Sequence, residues 1–187
     1  MKYPKLLSED SQYTRGRAVQ LQNLLKWWNR DFKQTIYEFG CKRAEMAWLM
    51  AQVADHVYCW DVASAWKKYY DSYNCNNMTW VKPHHVPPVD TVYLGGVLHT
   101  VTMYHDCSVW IDNIVNWIDS SVWVFREVLD EWQDPKWPYS FESPGWAKTQ
   151  QALDRCTTLR ITDVKTVSLP DHLSDSSPQR FFRCERK

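Results

Sequence analysis

The chain has 187 residues, a length that suits a single domain built around one hydrophobic core. Hydrophobic residues make up 44% and charged residues 24%, with 5 Gly and 9 Pro, and this composition excludes disordered and low-complexity chains. The 22 basic and 22 acidic residues cancel, so no overall field favours nucleic acid or an anionic membrane.

Tryptophan is unusually frequent, with 12 residues in the chain. A buried indole fills a large volume and needs a partner for its N–H group, so a core with this many indoles is hard to pack. We therefore expect some of them at the surface, where they either fill the rim of the core or line a groove for a ligand or partner.

The cysteines and the longest uncharged stretch bear on the cellular location. The 6 cysteines are widely spaced without a C-x-x-C pair, which argues against zinc ribbons and thiol redox motifs. The first residues contain no apolar signal-peptide core. The longest stretch without a charged side chain, residues 91–105, is shorter than the about 20 residues of a membrane span. The sequence predicts a soluble, cytoplasmic protein with reduced thiols.

The first two predicted elements are helices. Apolar residues recur every three or four positions up to Phe39, and Gly40 follows as a stop, which predicts a first helix over about residues 14–39. The same spacing between Lys42 and Tyr73 predicts a second helix. Small alanines in the second helix would let it pack closely against the first, as an antiparallel αα-hairpin.

The middle of the chain combines a strand pattern with a helix pattern. Residues 91–102 are rich in β-branched side chains around the pair Gly95-Gly96, which favours a β-hairpin over the alternative, a helix weakened by two glycines. From Ser108 to Trp132 the apolar positions share one helical face, and the polar residues form only a narrow stripe. This pattern predicts a long helix that is buried on most sides at the centre of the core.

The last part of the chain shows three shorter patterns. A short helix is predicted near Trp146 to Cys156, and a strand is predicted from Thr158 to Leu169. The end of the chain is rich in Ser and Asp and then in basic residues, which predicts a flexible basic tail over residues 171–187.

Together these elements predict a mainly α fold. The expected architecture is a helical bundle of three to five helices with a small β-hairpin, as a single helical domain over residues 1–170, and an α+β fold is the alternative. Such a bundle favours a binding or interaction module that uses its aromatic-rich helical surface. Its partner would be a protein or an apolar small ligand, with no cofactor, no nucleic acid and no membrane.

The cluster with the strongest chemical character comprises His84, His85, His99, His105 and Asp106. Imidazole and carboxylate groups are the ligands of hydrolytic metal centres. The pair His105-Asp106, which follows the apolar stretch 97–104, resembles the dyad of the HD-domain phosphohydrolases. The resemblance implies a divalent metal held by His85, His105 and Asp106 with a later carboxylate such as Asp163. A metal-dependent phosphohydrolase of HD type is therefore the alternative function.

Other catalytic templates are missing from the sequence. There is no Walker A loop, no G-x-G-x-x-G, no G-x-S-x-G elbow and no H-E-x-x-H, so no catalytic or cofactor-binding residue is assigned. The low Gly content, the high Trp content and the lack of a family pattern leave a third interpretation, a designed or newly arisen sequence without a selected function.

Overall fold

The structure is a computed structural model that describes residues 18–19, 21–22, 24, 34–98, 106–128, 145–167 and 179–187. The strands are β1 (Thr35–Phe39), β2 (His56–Trp60), β3 (Met78–Trp80), β4 (Val89–Gly95), β5 (Ser120–Val128), β6 (Leu159–Val167) and β7 (Gln179–Arg186). The helices are α1 (Glu45–Ala51), α2 (Lys67–Ser72), α3 (Cys107–Trp117) and α4 (Gly145–Arg155), with 3-10 turns at Ser64–Trp66 and Pro83–His85. Within the described ranges, no helix combines the length and the apolar character that crossing a bilayer requires.

The strands of the described residues form one sheet in the order β3-β2-β1-β4-β5-β7-β6. Strands β1 to β5 are all parallel to one another, and β7 runs antiparallel between β5 and β6. Parallel neighbours require crossover connections, and these place helices on the faces of the sheet. The fold is therefore α/β. The predicted mainly α bundle is wrong, and so is its α+β alternative.

The core has two layers because the central strands are buried on both faces. In β1 the side chain of Ile36 faces the layer that contains α1, whereas Tyr37 faces the layer that contains α3 and α4. Both side chains are almost fully buried, and so are Trp123 and Phe125 in β5. Strands of this kind lack the alternation of apolar and polar residues that marks a strand with one exposed face.

The two predicted N-terminal helices are largely wrong. The described residues between 18 and 24 are helical, but Thr35–Phe39 forms β1 instead of the end of the first helix. The predicted second helix contains only α1 and α2, with β2 between them. A doubly buried strand such as β1 presents apolar residues at almost every position, so it also satisfies a spacing of three and four.

The β-hairpin predicted for residues 91–102 is wrong in its pairing. Residues 91–95 belong to β4, which pairs in parallel with β1 and β5. The pair Gly95-Gly96 ends this strand rather than forming a hairpin turn, and Gly96 has a φ of 68°. Residues 99–105 lie outside the described part of the chain.

The long helix predicted from Ser108 to Trp132 divides into two elements. Its first half is confirmed as α3, which begins after the N-cap residue Asp106. The second half is β5, whose residues Val122 to Phe125 are at most 3% exposed. Periodicity cannot distinguish a strand buried on both faces from a buried helix, and that ambiguity explains the error.

The end of the chain is part of the sheet. The helix predicted near Trp146 to Cys156 is confirmed as α4, and the predicted strand is confirmed as β6. The flexible basic tail predicted for residues 171–187 is wrong over 179–186, because these residues form β7 between β5 and β6. Apolar side chains such as Phe182 alternate with the basic ones and bury this strand. A single domain over residues 1–170 stays a prediction, and its helical character is wrong.

Candidate functional site

The strand order identifies one place at the edge of the sheet where a ligand can bind. The chain passes from β1 outward to β2 and β3, and from β4 outward in the other direction to β5. The connections that leave β1 and β4 therefore diverge, and they open a crevice at the carboxyl ends of these two strands. In doubly wound sheets, ligands bind at such a switch point.

The loop that follows β1 has an unusual backbone. Every second residue is left-handed, with φ values of 74° at Gly40, 48° at Lys42 and 57° at Ala44. This conformation costs a residue with a Cβ atom about 1–2 kcal/mol, so its surroundings must hold Lys42 and Ala44 in place. Within the loop, the N–H group of Ala44 donates to the carbonyl oxygen of Cys41 at 2.7 Å.

Asp61, the residue that follows β2, holds this loop. One carboxylate oxygen accepts a hydrogen bond from the backbone N–H of Lys42 at 2.9 Å, and the other accepts from the N–H of Ala63 at 2.9 Å. The N–H groups of Gly40 and Cys41 donate to the carbonyl oxygen of Trp60 at 2.9 and 3.2 Å. The Asp61 side chain is buried, yet each oxygen can accept one more hydrogen bond from a ligand.

Two glycines allow the loops after β1 and β4 to approach each other. A Cβ atom added at Gly40 would lie 2.5 Å from the Cγ2 atom of Val97, and one added at Gly95 would lie 2.9 Å from the ring of Tyr93. Neither position can carry a side chain without displacing its neighbour. Gly40 therefore lets the loop after β1 pack against Val97, in the segment after β4, and Gly95 leaves room for the ring of Tyr93.

A cleft occupies the switch point. It is small, with an enclosed volume of about 20 Å³, and its lining comes from β1, the β1–α1 loop, α1 and β4. Glu38 and Glu45 line it and are each only 5% exposed. Arg43 lies 3.9 Å from Glu45, and Lys42 is exposed at the rim. The cleft is thus acidic at its base and basic at its mouth.

Cys41 also lines the cleft, but it is not a nucleophile. Burial raises the pKa of its thiol, and a side-chain hydrogen bond with Cys59 raises it further. The thiolate is the reactive form of cysteine, and a raised pKa keeps the thiol protonated at neutral pH. Cys41 therefore contributes shape to the cleft rather than covalent chemistry.

An aromatic cluster stands beside the cleft on the opposite face of the sheet. Phe39, the last residue of β1, packs edge-on against Trp60 and Trp110, with ring centroids 5.6 and 5.4 Å apart. Both indoles are half-buried. They lie at the rim of the core, which is one of the two positions expected for the surplus tryptophans.

The structure does not bring His85 and Asp106 together. His85 is exposed in the turn before β4, and the neighbouring His84 contacts Trp117 at the C-terminal end of α3. Asp106 caps the N-terminal end of the same helix, which is about 16 Å long at 1.5 Å per residue. His105 lies outside the described residues.

The later carboxylate, Asp163, is exposed on the edge strand β6. Over the parts of the chain that the structure describes, no group of three or more His, Cys, Asp or Glu side chains could hold a metal ion. Asp106 has a structural partner instead. Hydrogen bonds from the hydroxyl and the backbone N–H of Ser108 lower the pKa of its carboxyl group.

The residues of the cleft were missed because their elements were assigned wrongly. Gly40 was predicted to stop a helix, and Asp61 was placed inside the second helix. The detectable signal is a buried apolar strand that ends at Gly40, a helix that follows it, and an acidic residue about 20 positions further on. Lys42 and Ala44 hide this signal, because they occupy positions where a glycine-rich loop would carry glycine.

Known structures share this fold. No protein-family model matches the chain, and no curated protein sequence matches it. Magnesium protoporphyrin IX methyltransferase from Synechocystis PCC 6803 with bound SAH is 15% identical, with a TM-score of 0.62 over 100% of this chain and 89% of that chain. A SAM dependent methyltransferase from Aquifex aeolicus is 11% identical, with a TM-score of 0.67 over 99% of this chain and 100% of that one.

A third structure is N-methyltransferase NodS from Bradyrhizobium japonicum WM9 in complex with S-adenosyl-L-homocysteine. It is 14% identical, with a TM-score of 0.62 over 92% of this chain and 86% of that chain. At such low identity the likeness establishes the fold. This chain has the Rossmann-like α/β fold of the SAM-dependent methyltransferases.

This fold overturns the functional predictions made from the sequence. The binding module required a helical surface, and the HD-type phosphohydrolase required a helical domain, but the described chain is built on a mostly parallel sheet. The interpretation as a designed or newly arisen sequence without a selected function is not tested by a shared fold, and it stays a prediction. The expectations of no cofactor and of an apolar partner are corrected by neighbours that hold SAH or SAM.

Proposed function

We propose that this chain is a SAM-dependent methyltransferase whose cofactor lies across the carboxyl ends of β1 and β4, with one end at the cleft. The observation that carries the proposal is the loop at Gly40, Lys42 and Ala44, which is left-handed at alternate residues and bound to Asp61 at the switch point of the sheet. The fold shared with SAM- and SAH-bound methyltransferases supports it.

The side chains at the cleft suit the ribose and base of this cofactor. The ribose presents two hydroxyl donors, and in dinucleotide-binding folds an acidic residue about 20 positions after the glycine loop accepts them. Asp61 occupies this position and retains acceptor capacity on both oxygens. The next residue, Val62, is an apolar side chain that is 83% exposed, and it offers a surface on which a nucleobase can pack.

The base of the cleft suits the amino acid part of the cofactor. The amine and the sulfonium of S-adenosylmethionine are cationic, and Glu38 and Glu45 place two buried carboxyl groups along the cleft. Acidic groups at the base and basic groups at the rim match a ligand that carries both signs of charge.

The bound cofactor supplies an electrophilic methyl group that a nucleophile on the acceptor takes up. The residues of the cleft hold and orient the reactants, and such alignment is a large part of enzymatic rate enhancement. Asp61 fixes the loop through Lys42, and the loop then fixes the position of the ligand relative to β4. The aromatic side chains of Trp60 and Trp110 form an apolar wall beside this site.

We also propose that the protein works in the cytoplasm. Its 6 cysteines, all of which lie in the described part of the chain, are free thiols. Thiols persist in the reducing conditions of the cytosol, whereas secreted proteins form disulfides.

The experiment is a thermal melt of the full chain with S-adenosylhomocysteine, S-adenosylmethionine or NAD⁺, followed by calorimetric titration of the ligands that shift the melting temperature. A ligand at about 100 times its Kd stabilises the folded state by about 2.7 kcal/mol. We expect the two sulfur ligands to raise the melting temperature and to bind at one site. A shift with NAD⁺ alone, or no shift with any of the three, would contradict the proposal.

A pair of valine variants tests the location of the site. Val62→Ser removes the exposed apolar side chain next to Asp61, and we expect it to weaken binding of S-adenosylhomocysteine about 3- to 10-fold. Val53→Ser is the matched control, because Val53 is 41% exposed and lies just before the amino end of β2, away from the carboxyl ends of the strands. Equal effects of the two substitutions would exclude this orientation of the nucleoside.

A further inference from the structure

The two edges of the sheet differ sharply. At one edge, β3 has 3 residues, and the hydroxyl of Tyr70 in α2 donates to the carbonyl oxygen of Met78 in β3. At the other edge, β6 has 9 residues, and every side chain from Thr162 to Thr166 is exposed. A long exposed edge strand is a template for pairing with another strand, and proteins usually shorten or cover such edges.

The backbone of β6 shows which groups face away from the sheet. The N–H group of Val164 donates to the carboxylate of its neighbour Asp163 at 2.8 Å. This N–H group therefore has a local side-chain acceptor rather than a carbonyl of β7. The carbonyl of the same residue points in the same direction in an extended strand, so Val164 offers a donor and an acceptor along the free edge.

The sequence around Val164 is complementary to itself in an antiparallel arrangement. If Val164 of one copy lies opposite Val164 of a second copy, Asp163 lies opposite Lys165 twice, once on each side of the two-fold axis. A β-bulge between Ile161 and Asp163 interrupts the strand just before this stretch, so the regular pairing is centred on residues 163–165. Opposite charges and β-branched pairs are favourable cross-strand neighbours.

We propose that two copies of this chain pair through β6 into an antiparallel dimer whose two-fold axis passes through Val164. The pairing joins the two sheets into one continuous sheet. On pairing, the N–H group of Val164 exchanges the Asp163 carboxylate for the carbonyl oxygen of Val164 in the second copy, which frees the carboxylate to face Lys165 of that copy. The two Val164 side chains, each 43% exposed in the single chain, cover each other. The interface is a sheet edge without a broad apolar face, so we expect association in the micromolar range.

A second copy fits this edge better than an unrelated strand because of the charges. Asp163 and Lys165 have opposite signs and stand two residues apart on the same face of the strand. A two-fold axis midway between them places Asp163 of each copy opposite Lys165 of the other copy, which gives two attractive pairs. An axis at Asp163 or at Lys165 would instead place like charges opposite each other, which is unfavourable, so the charges select one register.

The test is sedimentation velocity of the full chain from about 1 to about 200 μM, the range in which small interfaces associate. We expect the wild-type chain to shift from monomer to dimer. Asp163→Lys and Lys165→Asp each place like charges opposite each other, and each should weaken association at least about 10-fold. The double variant restores the attraction in the reverse order, and it should recover association to within about 3-fold of the wild type.

A backbone variant tests the same edge without a change of charge. Val164→Pro removes the outward N–H group, and proline is tolerated where the N–H group of an edge strand faces solvent. We expect this variant to be a monomer with a melting temperature close to that of the wild type. A wild-type chain that stays monomeric would overturn the proposal. So would a dimer that survives Val164→Pro, or one that both charge variants weaken and the double variant does not restore.

Discussion

The carboxylate of Asp61, at the end of β2, accepts a 2.9 Å hydrogen bond from the backbone N–H of Lys42, in the loop after β1. One side chain thus connects two neighbouring strand ends and fixes a loop that is left-handed at alternate residues. The same carboxylate stands where the ribose of the proposed cofactor would bind. Stability and ligand binding should therefore both depend on Asp61.

Replacing Asp61 by Asn should weaken both the fold and the site. The amide keeps one acceptor oxygen, and its NH₂ group turns a donor toward one of the two backbone N–H groups. We expect the free energy of unfolding to fall by about 1–3 kcal/mol and the affinity for S-adenosylhomocysteine to fall about 10-fold or more. Urea denaturation and calorimetric titration measure the two effects.

Asp90→Ala is the control for this substitution, because one oxygen of Asp90 accepts both of its hydrogen bonds and an asparagine would keep them. Asp90 accepts hydrogen bonds from the backbone N–H and the hydroxyl of Thr35 at 2.8 Å each. Both residues lie at the amino ends of their strands, on the side of the sheet opposite to the candidate site. The variant should lose stability and keep its affinity for S-adenosylhomocysteine. A parallel loss of affinity in both variants would mean that Asp61 acts on binding only through stability.

Lys42→Gly should stabilise the protein. Lys42 is exposed and has a φ of 48°, a conformation that glycine adopts without the penalty of a Cβ atom. We expect a gain of about 0.5–1 kcal/mol in the free energy of unfolding, measured by urea denaturation. Lys82→Gly removes the same side chain at an exposed residue with a φ of −66°, and it should lower stability by a few tenths of a kcal/mol. The opposite order would show that Lys42 is not strained.

Asp112 clamps α3 to the turn between α4 and β6. Its carboxylate accepts hydrogen bonds from the Cys156 thiol at 2.8 Å and from the hydroxyls of Thr157 and Thr158 at 2.8 and 2.6 Å. We expect Asp112→Asn to lower the free energy of unfolding at pH 7 by about 1–2 kcal/mol, since the carboxylate is partly exposed to solvent. Asp154→Asn, at an exposed position on α4, should change it by less than about 0.5 kcal/mol.

The contribution of Asp112 should disappear in acid. Burial alone would raise the pKa of its carboxyl group, but the hydrogen bonds from Cys156, Thr158 and Thr157 outweigh burial and hold the pKa well below its usual range. A depressed pKa in the folded state adds stability above the unfolded value of about 3.9, and this stability is lost as the pH falls below it. The difference between wild type and Asp112→Asn should therefore shrink between about pH 4 and pH 2 in urea denaturation. A difference in the free energy of unfolding that stays constant over this pH range would contradict a stabilising role of the Asp112 carboxylate.

Arg186, near the end of the chain, closes the C-terminal end of α3. Its guanidinium donates to the carbonyl oxygens of Val115, Ile118 and Ser120 at 2.7, 3.0 and 3.1 Å. We expect Arg186→Ala to lower the free energy of unfolding by about 1–2 kcal/mol. Arg160→Ala removes an exposed arginine of β6, and its loss should stay below about 0.5 kcal/mol. A loss below about 0.5 kcal/mol for Arg186→Ala as well would show that its hydrogen bonds to the end of α3 do not stabilise the fold.

Elements with one exposed face, or with a typical helix N-cap residue, could be predicted from the sequence. The start of α3 follows from the N-cap residue Asp106, and α4 and β6 follow from their periodic patterns. β1 and β5 could not be predicted, because burial on both faces leaves no alternation in residues such as Ile36, Tyr37 and Trp123. Once these two strands were assigned to helices, the parallel sheet could not be derived.

The candidate site depends on pairing that no local pattern reveals. Asp61 reaches the β1–α1 loop only because β1 and β2 are parallel neighbours with their carboxyl ends at the same edge. The histidine and aspartate cluster shows the converse, that nearness in sequence does not bring side chains together in the fold. His85 and Asp106 are close in sequence, but they stand at opposite ends of α3.

Hydrogen–deuterium exchange with and without S-adenosylhomocysteine tests the central claim most directly, because it locates the ligand on the backbone. We expect the ligand to slow exchange at least several-fold in residues 40–44 and 61–63 and at the end of β4. Exchange at Thr35 and Asp90, at the amino ends of β1 and β4, should change far less. Protection confined to other regions, or no protection at saturating ligand, would contradict a cofactor site at the switch point of this sheet.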